Sequence, residues 1–205
     1  MERIIAAVWL LALALGVSAL TRGEPGLRSG DVVLQTSRSE QSGFIQEATG
    51  SPWSHVGLVE LTAGGPVVIE AVGPVRATPW RAWRERGEGG RVLVLRPRHL
   101  PPEALARVVA AARRELGKPY DPRFGWGDEA LYCSELVHKA FLRGAGVALG
   151  EKERLGDLVA ASPRRAALEK AAASRWRGPP PRRLEVVTPA SIARDPRLER
   201  VAGGA

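Results

Sequence analysis

The stretch SPWSHVGLVELTAGGPVVIEAV, residues 51–72, restricts what this chain can fold into more than any other part of it. Residues 54–61 and 66–72 are rich in β-branched and apolar side chains, and Thr62-Ala63-Gly64-Gly65 between them has the composition of a tight turn. An antiparallel hairpin follows, and with it a register. A turn centred near Ala63 brings positions 55 and 70 to within a residue or two of opposite, so His55 and Glu70 fall within cross-strand reach. Glu70 stands between Val67-Val68-Ile69 and Ala71-Val72. A carboxylate in such a run either faces water from an edge strand or is buried with a partner. His55 opens its strand, where a rigid scaffold can aim a side chain into a cleft.

The elements around the hairpin are short. Gly30-Asp31-Val32-Val33-Leu34 reads as a strand entered from a turn, and 35–50 as a polar loop or one short helix anchored by Phe44 and Ile45. Gly73-Pro74 ends the second hairpin strand; 78–86 reads as a helical turn and 91–97 as another strand. A helix starts at Pro101-Pro102-Glu103, carries Leu105, Val108, Val109, Ala112 and Leu116 at helical spacing, and stops at Gly117. Residues 118–131 are loop-like, and a second helix runs from Cys133 to a close at Gly144 and Gly146. Residues 163–176 predict a surface helix, 178–183 a stiff connector, and 184–201 a short strand, a turn and a closing segment. Antiparallel strands, with one helix between them and another after them, argue an α+β fold.

Cys133 is the only cysteine, so no internal disulfide can staple the chain. Cys133, Leu136, Val137, Ala140 and Phe141 share one helical face, which makes Cys133 the N-terminal end of a core stripe. One reading is a small buried hydrophobe. The other is a nucleophile, because the unpaired N–H groups and dipole of a first helical turn stabilise an anion. A nucleophile needs a base. His138 lies about 140° around the helix from Cys133 and reads as a surface residue. His99, in a loop, reads as solvated. His55 is the remaining candidate, with Glu70 to orient its imidazole, which gives a Cys-His-acid arrangement. One cysteine and three dispersed histidines make no convincing zinc site, and no cofactor is expected.

Residues 1–19 have the pattern of a secretory signal. Arg3 precedes the uncharged run Ile4–Val17, about 14 residues against the ~20 of a spanning helix, and Val17 and Ala19 fit a cleavage site. An uncleaved signal anchor is the alternative. Residues 20–205 are then a single exported domain, periplasmic or extracellular. The net charge of +8 is mostly arginine, in singles and pairs. It either suits an anionic membrane or wall surface or follows from genome composition. No basic run with interleaved aromatics occurs, so nucleic acid is not an expected partner.

Six separated motifs, taken in order, resemble a known family. They are Gly30–Leu34, Trp53–Val59, Val68–Ala71, Gly117-Lys118-Pro119-Tyr120-Asp121, Tyr132–Val137 and Val187-Thr188-Pro189. The set resembles the YiiX/YebB-like branch of the NlpC/P60 cell-wall hydrolase superfamily, over roughly residues 28–200. Those proteins look like papain-fold cysteine hydrolases in circularly permuted order, with histidine before cysteine, as here. The resemblance implies an antiparallel sheet or open barrel packed against the cysteine-bearing helix. It implies Cys133 as nucleophile, His55 as general base and Glu70 as the group that orients it. It further implies that the Tyr132 hydroxyl and the Cys133 N–H serve an oxyanion, and that Tyr120, Asp121, Trp53 and Ser54 lie at the pocket. Asp31 and Glu135 are expected to hold backbone and helix together. Trp53, Trp80, Trp83 and Trp126 either wall a cleft or fill the core. The Ala/Arg/Pro-rich segment 163–183 departs from relatives and reads as an insertion over or beside the cleft. The implied activity is cleavage of an amide, in a cell-wall peptide or acyl-amino acid, through a thioester. The alternatives are a thiol acyltransferase or esterase acting on lipids, and a catalytically silent wall- or lipid-binding module.

Overall fold

The computed structural model describes residues 26–179 and 181–203, so the signal expected at 1–19 lies outside the described residues. The strands of the main sheet are β1 (Val32–Ser37), β2 (His55–Thr62), β3 (Gly65–Ala71), β4 (Val75–Pro79), β5 (Gly87–Pro97) and β8 (Leu198–Gly203). They form one antiparallel sheet in the order β4-β3-β2-β1-β5-β8. A separate ribbon pairs β6 (Lys152–Arg154) with β7 (Glu185–Val187). The helices are α1 (Glu40–Thr49), α2 (Trp80–Arg86), α3 (Pro102–Arg113), α4 (Cys133–Ala145), α5 (Leu155–Ala161), α6 (Arg165–Trp176) and α7 (Pro189–Ala193). Among the described residues no helix is long and apolar enough to cross a membrane.

Strand alternation assigns the faces. Val32, Leu34, Val56, Leu58, Ile69 and Leu95 point to one side, where α3 and α4 supply Val108, Ala112, Leu136, Val137 and Phe141. Val33, Val59, Val68 and Val94 point to the other, under Trp80 and Trp83 of α2, whose rings stack at 5.6 Å. A third cluster lies beside the sheet, where α1, α5 and α6 enclose Phe44, Phe124, Tyr132, Leu155 and Leu168.

The expected hairpin forms, with Leu58 opposite Ile69 and Thr62 opposite Gly65 around the two-residue turn Ala63-Gly64. Several expectations are corrected. The chain after Gly73-Pro74 turns back as the edge strand β4, because Val75–Pro79 finds the open side of β3; α2 therefore starts at Trp80 rather than 78. The helix from Pro102 ends at Arg113, which leaves Leu116 38% exposed rather than in the stripe. The C-terminal segment is more ordered than expected, with β8 completing the sheet against β5. His138 is buried, not a surface residue, and its Nδ1 donates to Leu149 O at 2.7 Å. Of the four tryptophans, Trp53, Trp80 and Trp83 are buried in the core, and Trp126 is partly exposed.

Gly144 does not end α4; it is where α4 meets α3. A Cβ there would lie 2.4 Å from the backbone nitrogen of Val108 and 2.5 Å from its Cα. Gly146 closes the helix in the left-handed conformation, φ 69°, with its N–H on the Leu142 and Phe141 carbonyls. Gly144→Ala is accordingly expected to lose about 1–3 kcal/mol of stability by forcing the two helices apart. Gly43→Ala, on α1 with no atom within 4 Å of the added methyl, is expected to keep stability or gain up to about 1 kcal/mol. Urea unfolding midpoints of the two variants beside the parent chain check both.

Candidate active site

The hairpin register extended by one pair sets Gly57 opposite Glu70, so His55 is the diagonal neighbour of Glu70 on the same face. The Glu70 carboxylate is fully buried and its two oxygens are crowded with donors. His55 Nε2 is 2.6 Å from Oε2, and the Thr78 hydroxyl donates to Oε1 at 2.6 Å. Arg86 Nη2 donates to both oxygens, at 2.6 and 2.5 Å, and Arg76 Nε stands 3.8 Å from Oε1. Burial pushes the Glu70 pKa up, but His55, Arg86 and Thr78 outweigh it and hold the carboxyl well below its ordinary 4.5.

Nε2 of His55 being committed to Glu70, Nδ1 is the nitrogen left for another partner, and the Cys133 side chain is near enough to act on the ring. Burial pulls the His55 pKa down; interaction with the Cys133 side chain and then with Glu70 overcomes this and raises it to about 9. Cys133 is the first residue of α4, with Tyr132 as the extended residue before it, φ −98° and ψ 167°. Glu135 steadies that turn by accepting the Tyr132 N–H at 3.4 Å, and Lys139 Nζ lies 2.7 Å from its other oxygen. Asp31 likewise holds backbone, accepting from Arg28 N–H and from Arg96. Cys133 is thus both things the sequence allowed: 2% exposed at the end of the core stripe, and next to a histidine. Chemically, the set can form a thiolate–imidazolium pair backed by a fixed anion.

Two cavities flank the pair. Cys133 borders a tight crevice, about 30 Å³, walled by Phe44, Ile45, Phe124, Tyr132, Leu155 and Val186. His55 borders a wider groove of about 460 Å³, lined among others by Ser54, Tyr120 and Arg86. Ile45 edges both.

The other expected pocket residues divide. Ser54 lines the groove, and its hydroxyl accepts the Ser37 N–H at 2.9 Å and pairs with Ser42 Oγ at 2.5 Å. Tyr120 lines it too, its hydroxyl oxygen accepting from Gln41 Nε2 at 2.9 Å. Trp53 lines neither cavity; it lies in the segment before β2 and packs in the main core. Asp121 borders neither cavity, and its carboxylate accepts the N–H groups of Arg123 and Gly125 to shape the loop. Tyr132 walls the crevice, with its hydroxyl oxygen accepting Val187 N–H at 3.1 Å. The 163–183 segment lies beside the crevice: Trp176 of α6 packs on Phe44 and Phe124, and the Arg175 guanidinium sits over the same rings. Arg86, Thr78 and Gln41 are new to the site. Nothing in their local sequence marks them, since β4, α2 and α1 bring them in by packing.

Removing the Glu70 charge should therefore be costly. Glu70→Gln leaves Arg86 without its counter-charge and is expected to lose up to roughly 3–5 kcal/mol in denaturant unfolding at neutral pH, the upper part of that range being reduced by the partial exposure of Arg86. The pair also sets a pH window. His55 is raised above its ordinary 6.5, so its contribution is complete below that pH and is lost as pH rises through about 9. Glu70 is depressed, so its contribution is present above 4.5 and is lost as pH falls toward about 2. His55→Ala should flatten the alkaline limb of a stability–pH curve.

Comparison with known proteins agrees with this fold. Residues 26–202 match the family model described as "permuted papain-like amidase enzyme, YaeF/YiiX, C92 family". The protein YiiX of Escherichia coli K12 is 38% identical over 176 residues, covering 85% of this chain and 86% of that one. The crystal structure of YiiX from Escherichia coli O157:H7 superposes with a TM-score of 0.80 at 37% identity, over 86% of this chain and 97% of that one. That structure is described as a metalloprotein; among the described residues here no three His, Cys, Asp or Glu side chains gather to hold a metal ion, so the donor set does not fit one. With the match spanning nearly all of the described chain, this protein belongs to the permuted papain-like amidase family of YaeF and YiiX.

Proposed function

We propose that this chain hydrolyses an amide through a thioester on Cys133. The observation that carries the reading is the commitment of His55 Nε2 to the buried Glu70, which leaves Nδ1 for the thiol at the head of α4. The Cys133 thiolate attacks the acyl carbon, and the developing oxyanion takes the Cys133 backbone N–H. A tyrosine hydroxyl is the second donor: the Tyr132 and Tyr120 oxygens each accept an N–H, from Val187 and from Gln41 Nε2, which leaves each hydroxyl proton available. His55, as imidazolium, gives its proton to the amide nitrogen as the C–N bond breaks, and the amine leaves. Neutral His55 then takes a proton from water, which attacks the thioester; the C–S bond breaks, and the acid and the thiolate are restored. Glu70 fixes the tautomer and orientation of the imidazole throughout.

A specific observation favours an acyl-chain substrate over a wall peptide. The crevice beside Cys133 is walled by Phe44, Ile45, Phe124, Leu155 and Val186, side chains suited to an apolar acyl group and not to an acidic stem peptide. The same crevice would serve a lipid acyltransferase, and the two are separated by whether added lysolipid captures the acyl group. The uncharged run Ile4–Val17 supports export, and the arginine-rich surface supports an anionic membrane or wall as its setting.

The test is the iodoacetamide alkylation rate of Cys133 against pH, for the full chain and for His55→Ala. The expected result is a rate that reaches its plateau well below about pH 8 and loses that plateau in the variant. A rate that climbs only near about pH 8.5 in both proteins, or a thiol inert until the chain unfolds, would return Cys133 to a purely structural role.

A further inference from the structure

The proposed steps employ Cys133, His55 and Glu70 and give Arg86 no part, yet its placement is tightly specified. Arg86 is the last residue of α2, and α2 is pinned to the sheet by Trp80 and Trp83, which are buried and stacked. At the following residue a Cβ on Gly87 would run into the buried Gln35 carboxamide, so the helix end comes close to β1. That approach brings Arg86 over Glu70. Its Nη2 donates to both carboxylate oxygens, and one of them, Oε2, also meets His55 Nε2 at 2.6 Å. A permanent cation and the imidazole therefore share one oxygen of a buried carboxylate.

The sharing has an electrostatic consequence. Thiolate, imidazolium, carboxylate and guanidinium sum to zero. Without Arg86 the set carries one net negative charge as soon as the thiolate forms, in a place where Cys133 is 2% exposed and Glu70 not at all. Desolvation penalises such an unbalanced charge, and the group that gives way is the weakest acid form able to take a proton back, the thiol. The other groups facing the pair do not replace the cation. Arg76 stands 3.8 Å from Glu70 Oε1 on a half-exposed side chain, and Thr78 is neutral. Burial pushes the Tyr120 and Tyr132 hydroxyls above their ordinary 10, so both stay uncharged. Glu135, raised by burial to about 7, is matched by Lys139 in its own helix. We infer that Arg86 is a positioning residue that acts through Glu70, balancing the buried charge so that Cys133 and His55 can stand as a thiolate–imidazolium pair at neutral pH. The inference rests on the thiol mechanism proposed above. Its sign is fixed: removing a cation disfavours the thiolate, so a higher pH is needed to form it, and favours the imidazolium, which faces Glu70 alone.

The experiment follows the iodoacetamide alkylation rate of the full chain against pH and reads the pH of half-maximal rate. Arg86→Gln should raise that midpoint by about one pH unit, which is about tenfold slower alkylation at any pH well below both midpoints. Arg86→Lys keeps the charge and should stay within about 0.3 unit of the parent. Arg81→Gln removes the same charge from the same helix, at a side chain 82% exposed and paired with Glu85, and should move the midpoint by less than about 0.2 unit. A merely structural role would lower the folded fraction, hence the amplitude, and leave the midpoint where it was. Arg86→Lys remains decisive if Arg86→Gln does not fold: a midpoint displaced by a full unit with the charge retained overturns the inference. So does a folded Arg86→Gln whose midpoint matches the parent, or an equal shift in Arg81→Gln, while the parent's dependence on His55 leaves the thiol mechanism standing. Glu135 titrates in the same range in every variant, so only the difference between them reports Arg86. A parent thiol that reacts only near about pH 8.5, or not until unfolding, overturns the thiol mechanism and this inference together.

Discussion

The interaction on which the site depends is the burial of one carboxylate. Glu70 lies in the middle of a sheet with no exposure to water, a position that is prohibitive for a charge unless donors converge on it. Four come, from three elements: His55 from β2, Thr78 and, more distantly, Arg76 from β4, and Arg86 from the end of α2. Each of those elements must be in place for the charge to be tolerated. The carboxylate therefore locks together the edge of the sheet and the helix that covers it, and the imidazole is fixed as a consequence.

Against this fixed half the fold sets a second one. Cys133 is 78 residues beyond His55, and α4 reaches it only because its apolar stripe packs on the sheet and on α3. The close approach at Gly144 fixes how deeply α4 seats, and so where its first residue lies. Glu135 and Lys139 brace the same first turn. The nucleophile candidate and the base candidate are therefore each held by rigid elements rather than by loops, which is the condition for a thiol and an imidazole to stay within reach of one another.

The two cavities belong to different layers of the molecule. The crevice is built by the third hydrophobic cluster, to which α6 contributes Leu168 and Trp176, while the groove is built at the end of β1 and β2 and by α2. Arg175 lies over the Phe44 and Phe124 rings, so the arginine-rich α6 segment packs on two of the crevice's wall rings by cation–π contact. The crevice borders Cys133 and the groove borders His55, so the two candidate residues open onto different spaces.

The hairpin at 51–72, the helix headed by Cys133 and the pairing of His55 with Glu70 were legible in the residues alone, because a period-2 pattern, a turn dipeptide and a helical stripe are local signals. The family motifs were legible for the same reason. What tertiary structure alone decided is everything that depends on distant packing. β4 is a strand because β3 has an open edge, β8 because β5 does. His138 is buried because Leu149 returns to meet it, and Trp53 is core because the segment before β2 packs it into the main cluster. Arg86 is invisible as a partner of Glu70 in sequence, since one arginine among many has no local mark; only the seating of α2 on the sheet selects it. Local periodicity determined which side chains are the candidates for the chemistry, and the desolvation of Glu70 in the assembled fold decided which others had to join them.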